Sequence, residues 1–219
     1  MIYLVGVVHY RKESCHDVTD VIQKVQPDIL FLELCEERRH LLRTEKNVPG
    51  EMAAAREASE SVPNCTLILG DMPLSLHSTR LLNHLGDVYS DELVIMDLIR
   101  SNTVLRKYTA APEGFRMDLS RFVEEKEPDW ALEVTGQWDW NRPILKKNLF
   151  HDRDIYMTYC LQQLAKEIQP VDEVFHPTGR ASSVIVAVVG LGHLEGITEL
   201  FPTAITEDQV REVMEVKLS

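Results

Sequence analysis

The sequence predicts an α/β protein with a mixed, largely parallel sheet flanked by helices and a helical insertion in the middle of the chain. Short apolar runs without polar alternation are typical of parallel strands buried on both faces. In the first 80 residues these runs alternate with segments of helical periodicity. The 219 residues are 44% hydrophobic and 26% charged, which suffices for one sizeable core. We therefore expect a single domain over residues 1–219.

The start of the chain reads as strand, helix, strand. Residues 2–8 form an apolar, β-branched run, and residues 17–25 place valine and isoleucine at helical spacing. Pro27 ends this helix, and ILFLEL then predicts a second buried strand. A βαβ unit whose two strands form a parallel pair is the simplest interpretation, because parallel pairing requires a crossover of this length.

Further elements follow the second strand. CEERRHLLR predicts the start of a second helix, EMAAAREASES is rich in helix formers, and CTLILGD predicts a third strand. The region from about 75 to 170 is mostly helical, with apolar residues three and four apart in DELVIMDLIR and RDIYMTYCLQQLAKEI. SSVIVAVVG predicts the last strand, and HLEGITELF and ITEDQVREVMEVKLS predict helices after it.

An acidic segment rich in tryptophan, residues 128–143, has no clear periodicity and is interpreted as an insertion or a lid. Its tryptophans, Trp130, Trp138 and Trp140, form either a local core or a hydrophobic clamp for a peptide or lipid. We favour the local core, because large apolar side chains usually pack against one another.

Charge, cysteine spacing and hydropathy exclude several functions. The net charge of −12 repels phosphate backbones, so we expect no nucleic-acid partner. The four cysteines lie far apart, which predicts reduced thiols in a cytoplasmic protein. Cys35 is a candidate nucleophile, but a buried structural thiol is the better interpretation. Without a signal peptide or an apolar run of roughly 18 residues, we expect no membrane insertion.

Two predicted strands end in the same Gly-x-x-His pattern. Gly6 precedes His9 after the first strand, and Gly190 precedes His193 after the last. Open α/β sheets bind ligands at the carboxyl ends of their strands, so both imidazoles are expected at one edge. The glycines allow either an unusual backbone angle or a close approach. Each histidine taken alone is better explained as an ordinary hydrogen-bonded turn residue, and only their joint appearance after two strands makes a shared site an equal alternative.

Two carboxylates belong to the same predicted edge. Glu33 lies in the second strand, and Asp71 follows the third, where it also suits a helix cap. A lone buried carboxylate costs several kcal/mol unless a cation or hydrogen-bond donors compensate it, so Glu33 needs a partner. The candidates are a metal ion and the arginines Arg38, Arg80 and Arg153. Two imidazoles with a carboxylate would hold a divalent metal and leave room for water.

Five successive segments resemble the TraB/PrgY family. They are VGVVHYRKESCHDVTDVIQKVQPDILFLELCEER, PGEMAAAREAS, LGDMPLSLHSTR, HDRDIYMTYCL and VVGLGHLEGI, which together span about residues 2–200. The wider group includes the Tiki, GumN-like and erythromycin-esterase-like proteins, which carry paired Gly-x-x-His motifs and an acidic residue. In Tiki proteins these residues are taken to form the active site of a metal-dependent protease.

The resemblance implies roles for individual residues. His9, Glu33 and His193 fall in the metal-binding positions, and the other family blocks contain Arg38, Glu51, Asp71, Arg80, Arg153 and Asp154. The chain departs from the family pattern at three positions: Met72 replaces an arginine, His77 a threonine and Asp152 a glutamate. The resemblance therefore implies that one charge partner is missing at Met72.

The leading functional hypothesis is a metal-dependent hydrolase, most plausibly of peptide bonds. His9 and His193 would bind Zn, Mn or Co, and Glu33 would be the third ligand or the base that activates water. The remaining catalytic candidates are Asp71, Arg80 and Arg153, whose guanidinium groups would pair with carboxylates or polarise the scissile carbonyl.

Two rival hypotheses stay open. One is a noncatalytic binding or regulatory protein that sequesters a peptide or protein partner. The other is a purely structural network that pairs the buried acids with Arg38, Arg80 and Arg153. By family resemblance a location peripheral to mitochondria is a further expectation, and a homodimer is considered as well.

Overall fold

A parallel sheet of four strands forms the centre of the described chain. The computed structural model describes residues 1–9, 11–43, 50–77, 80, 150–167 and 183–215. Within these ranges the strands are β1 (Ile2–Val7), β2 (Ile29–Leu32), β3 (Thr66–Leu69) and β4 (Ile185–Gly190). Their order is β1-β4-β2-β3, and every neighbouring pair is parallel. The predicted α/β fold is confirmed.

Helices connect and cover these strands. They are α1 (Lys12–Val25), a 3₁₀ helix (Glu36–Leu42), α2 (Glu51–Glu60), α3 (Asp152–Glu167), α4 (Leu191–Leu200) and α5 (Glu207–Met214). Most of the predicted helical region 75–170, including DELVIMDLIR and the tryptophan-rich segment, lies outside the described residues. In the described part of the chain, no helix has both the length and the apolar character that a membrane span requires.

The last strand in the sequence lies inside the sheet. All six residues of β4 are buried, and β4 pairs with β1 on one side and β2 on the other. The expected direct pairing of β1 with β2 is therefore wrong, although the two strands are parallel. The physical reason is burial: IVAVVG carries no polar side chain and gains most from a position covered on both faces.

Alternate residues of β4 pack into two different cores. Val186 and Val188 face the layer formed by α1 and α2, which contributes Ile22 and Ala55 among others. On the opposite face, Ile185, Ala187 and Val189 join the core formed with α3 and α4. Full burial of each such aliphatic side chain contributes about 1.5–3 kcal/mol. The sheet is thus held between two helical layers, with its carboxyl edge open for a site.

The segment after β2 differs from the predicted second α-helix. CEERRHLLR forms a 3₁₀ helix over Glu36–Leu42. Within it, Arg39 donates two hydrogen bonds of 2.6 Å to Glu36, three residues earlier. Side chains three residues apart stack in 3₁₀ geometry, so this ion pair suits the tighter helix.

The C-terminal helix α5 is attached by one arginine and one apolar cluster. Its first turn carries a capping box between Thr206 and Gln209. At its other end, Arg80 donates to the carbonyl oxygens of Glu212 and Glu215 at 2.9 and 2.6 Å. The same guanidinium pairs with Asp152 at 2.9 Å, so Arg80 joins α5 to the start of α3.

Met72 belongs to the apolar part of this attachment. Its side chain is buried and packs with Ile155 of α3, Ile205 and Val213 of α5. The departure from the family arginine at this position therefore places an apolar group beneath α5.

We expect an Arg80→Met exchange to lower the free energy of unfolding by about 2 kcal/mol, because it removes a largely buried ion pair and two carbonyl contacts. Hydrogen exchange should accelerate in α5 while the sheet amides keep their protection. The matched control is Arg211→Met, since Arg211 is 68% exposed and its ion pairs in the described part of the chain are with Glu207 and Asp208 of α5 itself. Equal exchange rates in α5 for both variants would contradict this attachment.

Candidate functional site

The candidate site lies at the carboxyl edge of the sheet, where the strand ends deliver its polar groups. His9 follows β1, Glu33 directly follows β2, and Asp71 follows β3. The Glu33 N–H donates to the carbonyl of Val188 at 3.0 Å, which continues the β2 pairing with β4 by one residue. His193 lies in the first turn of α4, immediately after β4.

Glu33 is buried at the centre of this edge and contacts groups from three elements. Its carboxylate accepts hydrogen bonds from the Arg153 guanidinium of α3 and from the Gly190 N–H. Gly190 is the N-cap residue of α4, so the carboxylate lies at the positive end of that helix. His193 Nε2 lies 3.4 Å from Glu33 Oε1.

Asp71 is held by two arginines. Arg153 donates from Nε to Oδ1 at 3.1 Å and from Nη2 to Oδ2 at 2.5 Å, and Arg38 also pairs with Oδ2. The Asp71 Oδ1 accepts the Met72 N–H at 2.8 Å as well. Although burial raises the pKa of Asp71, Arg153 and Arg38 outweigh it and lower the pKa below its ordinary value.

The glycine of the second Gly-x-x-His motif makes room for the histidine of the first. A Cβ built on Gly190 would lie 2.7 Å from His9 Nε2 and 3.0 Å from Glu33 Oε2. Any side chain at residue 190 would therefore occupy the space into which both groups point. Gly190 has φ −58°, so close approach, and not an unusual backbone angle, explains this glycine.

Both imidazoles are bound through Nδ1 by a buried carboxylate. His9 Nδ1 lies 2.6 Å from Glu51 Oε1, and His193 Nδ1 lies 2.5 Å from Asp154 Oδ1. Phe150 packs against the His193 ring with centroids 5.2 Å apart. His193 is buried, and its Nε2 makes no hydrogen bond; the His9 side chain is 39% exposed and marks the open side of the site.

The charges of the neighbours determine the pKa values at the centre. Burial alone would raise the pKa of Glu33, but Arg153 and His193 outweigh it and hold the pKa well below its usual range. Burial and Arg153 lower the pKa of His193, whereas Glu33 and Asp154 raise it, with a net rise. Burial raises the pKa of Asp154, and the hydrogen bond with His193 offsets this only in part.

Negative charge exceeds positive charge among the buried groups that the structure describes at this edge. Four carboxylates are buried there: Glu33, Glu51, Asp71 and Asp154. The two guanidinium groups that face them are Arg38 and Arg153. The carboxylates thus outnumber the guanidinium groups by two, and a proton on His193, whose pKa is raised, would offset one of these charges. A buried excess of this kind is costly unless protons or a cation compensate it.

Not every candidate residue lies in this cluster. The structure brings together His9, Glu33, Asp71, Arg153 and His193, whereas Arg80 pairs with Asp152 beside α5. Cys35 is buried next to the apolar end of β2. Trp130, Trp138 and Trp140 lie outside the described residues.

Two carboxylates that bind the imidazoles, Glu51 and Asp154, were not predicted to contact the histidines. Both come from the first turn of a helix, α2 and α3 respectively. The family blocks contain both residues, but spacing gives no signal that links Glu51 to His9, 42 residues earlier.

No group of three or more His, Cys, Asp or Glu side chains within the described ranges is arranged so that it could hold a metal ion. The Glu33 oxygens are engaged by Arg153 and Gly190, and both Nδ1 atoms are engaged by carboxylates. The residues therefore supply suitable donor atoms without forming a closed cage.

No family model matches the chain, and no solved structure matches it. It is 25% identical over 262 residues to the TraB domain-containing proteins of Mus musculus and Bos taurus, and 23% identical to that of Homo sapiens. Each match covers 98% of this chain. The chain is thus similar to TraB domain-containing proteins over almost its whole length.

The chain spans 65% of the length of these relatives. The name of these relatives specifies no reaction, so the activity of this chain is a separate question.

The buried side chain of His77 gives the stability of this chain a pH dependence. Burial and the positive charge of Arg153 lower its pKa from 6.5 to about 3. Between these pH values the unfolded chain binds a proton that the folded chain excludes. We expect this group to reduce the free energy of unfolding by about 1.4 kcal/mol for each pH unit below 6.5, until the pH approaches 3.

The measurement is denaturant unfolding from pH 7 to pH 4 in wild type and in His77→Gln. The difference between the two pH slopes isolates the contribution of His77. A His16→Gln control, at a side chain 77% exposed, should keep the wild-type slope. Parallel slopes for wild type and His77→Gln would show that His77 takes up a proton in the folded state.

Proposed function

We propose that this chain is a divalent-metal-dependent hydrolase that acts on peptide bonds. The observation that supports the metal is the buried excess of negative charge at the sheet edge. Four buried carboxylates face two guanidinium groups, so one divalent cation would neutralise the cluster. The preference for peptide bonds rests on the resemblance to Tiki proteins.

The donor atoms also favour a cation at this position. His193 Nε2 has no hydrogen bond, and it faces Glu33 Oε1 at 3.4 Å. If the Asp154 carboxylate accepts the Nδ1 proton, a lone pair on Nε2 points at a carboxylate oxygen. Two acceptors in a buried site repel each other unless a proton or a metal ion lies between them. His9 Nε2 points into the adjoining space left by Gly190.

His9, Glu33 and His193 would hold the ion, which suits Zn, Mn or Co by its nitrogen and oxygen donors. When bound, such an ion supplies Lewis acidity and lowers the pKa of a bound water. The Arg153 guanidinium already forms two hydrogen bonds with Asp71, so it stays paired if Glu33 turns to a ligand. Because Arg153 keeps its hydrogen bonds with Asp71, Glu33 could leave Arg153 and bind an ion without leaving a buried guanidinium unpaired.

The chain's own residues would perform the remaining steps. Because its pKa is lowered, Glu33 is ionised and suits the role of a ligand better than that of a general base, which works best with a pKa near the working pH. Arg38 is positively charged, and its side chain is 17% exposed beside Asp71, so it would stabilise negative charge on the scissile carbonyl. The exposed side of His9 is the side from which a peptide would enter.

One observation favours the alternative of a noncatalytic TraB-domain protein that sequesters a peptide or protein partner. Arg153 is 2% exposed and already pairs with both Glu33 and Asp71. A site whose central carboxylate is neutralised by a fixed arginine has less need of a metal. The alternative predicts peptide binding without turnover.

The test is isothermal titration of the metal-free protein with Mn²⁺, Co²⁺ and Zn²⁺, followed by assay with a fluorogenic peptide library. We expect one ion per chain and metal-dependent cleavage. His9→Ala/His193→Ala should weaken binding by about 100-fold or more, because it removes two ligands.

The matched control is the surface pair His16→Ala/His40→Ala, which should bind and cleave as wild type does. Equal metal binding by both double variants would contradict the assignment of ligands. Peptide binding without cleavage in the presence of every ion would support sequestration instead.

A further inference from the structure

The candidate site and the C-terminal helix α5 are joined through two pairs of consecutive residues. Asp71 binds Arg153 in the site, and the residue after it, Met72, packs beneath α5. On α3, Arg153 is preceded by Asp152, which binds Arg80 at the end of α5. On both paths a single peptide bond separates a residue of the site from a residue that holds α5.

The contacts of Met72 leave it little freedom to move independently of the site. Its backbone N–H donates to Asp71 Oδ1 at 2.8 Å, and its side chain is buried against Ile205, just before α5, and Val213, within it. The same Asp71 Oδ1 accepts the Arg153 Nε–H at 3.1 Å. A movement of Met72 together with α5 would therefore displace the carboxylate to which Arg153 is bound.

The helix α5 is the element most able to move in this arrangement. Among its eight described residues, Val213 is the one that is buried. A cleft of about 220 Å³ lies between α5 and the start of α3, beside Arg80 and Ile155. Elements with few buried apolar contacts open locally at a low cost in free energy. We therefore expect α5 to open more readily than the sheet.

We propose that docking of α5 and pairing of Arg153 with Asp71 form one coupled equilibrium, which makes α5 a regulatory element of the candidate site. When α5 is docked, Met72 and Asp152 hold the two partners of this ion pair in place. When α5 opens, both anchors are released and the pair loosens. The coupling is reciprocal, so a change in the site that weakens the pair also releases α5.

The consequence for activity rests on the proposed function. There, Glu33 turns from Arg153 to a metal ion while Asp71 keeps the guanidinium paired. With α5 open, Arg153 would depend on Glu33 and compete with the ion, because a buried guanidinium without a partner is costly. Opening of α5 should therefore lower the affinity for a metal. The coupling itself is a property of the metal-free chain.

The first experiment follows the Arg153 Nε–H of the metal-free full chain by nitrogen-15 NMR, with Arg153→Lys used to assign the signal. In wild type this buried proton should exchange slowly with water. Met72→Ala and Arg80→Met leave Arg153 and Asp71 intact, and each should accelerate the exchange about fivefold or more by opening α5. Met72→Leu, which keeps the apolar volume, and Arg211→Met, at an exposed position of α5, should exchange as wild type does.

The reverse experiment measures hydrogen exchange of the α5 amides. Asp71→Asn removes the charge that holds Arg153, and should accelerate α5 exchange about fivefold or more while the sheet amides keep their protection. The matched control is Glu51→Gln, since Glu51 is a buried carboxylate of the same site that belongs to α2 in the other helical layer. It should leave α5 exchange unchanged.

The coupling would be overturned by α5 amides that ignore Asp71→Asn, or by an Arg153 signal that ignores both Met72→Ala and Arg80→Met. If Asp71→Asn also removes the protection of the sheet, the Arg153 signal in the other two variants decides.

Titration with Mn²⁺ separates this inference from the proposed function. Saturating Mn²⁺ should slow α5 exchange in wild type about fivefold or more, because the ion binds the docked state better. An Arg153 signal that responds to the α5 variants, in a chain without affinity for Mn²⁺, would uphold the coupling and overturn the proposed function. Binding of Mn²⁺ by a chain in which neither the Arg153 signal nor α5 exchange responds would do the opposite.

Discussion

The burial of the Glu33 carboxylate determines the arrangement of the whole carboxyl edge. Glu33 is 2% exposed and continues β2 beside the fully buried strand β4. An ionised carboxylate in this position needs compensation from several directions. It receives Arg153 from α3, the N–H of Gly190 at the start of α4, and the nearby imidazole of His193.

Compensation of one charge brings further charges into the site. Arg153 also pairs with Asp71, which in turn holds Arg38, so the network extends from the end of β2 to the end of β3. The histidines add their own carboxylates, Glu51 and Asp154. The result is a cluster that is well hydrogen-bonded but too negative. The cation of the proposed function would offset that imbalance, and the similarity to TraB domain-containing proteins specifies no reaction.

The convergence at the sheet edge could be expected from the sequence because parallel strands deliver their carboxyl ends to one side. The need of Glu33 for a partner also followed from its place in an apolar run. The identity of that partner did not: Arg38, Arg80 and Arg153 were equivalent candidates, and only the packing of α3 on the sheet brings Arg153 within reach. Arg80 is instead used to attach α5.

The hydrophobic periodicity of the sequence could not predict the order of the strands. β4 lies in the sheet between β1 and β2, which precede it by more than 150 residues. The pairing of His9 with Glu51 could not be predicted from the sequence either, because it depends on how α2 packs against the sheet. The glycines were expected to allow an unusual angle or a close approach, and Gly190 shows the close approach. Sequence patterns thus located the edge, whereas tertiary packing chose the partners.

The central claim is that the negative cluster around Glu33 accepts a divalent cation. The most direct measurement is anomalous X-ray diffraction at the manganese edge from crystals of the full chain grown with Mn²⁺. The account predicts one anomalous peak in contact with Glu33 and with Nε2 of His9 and His193. A map without a peak at this edge, with Arg153 still paired to Glu33, would contradict it.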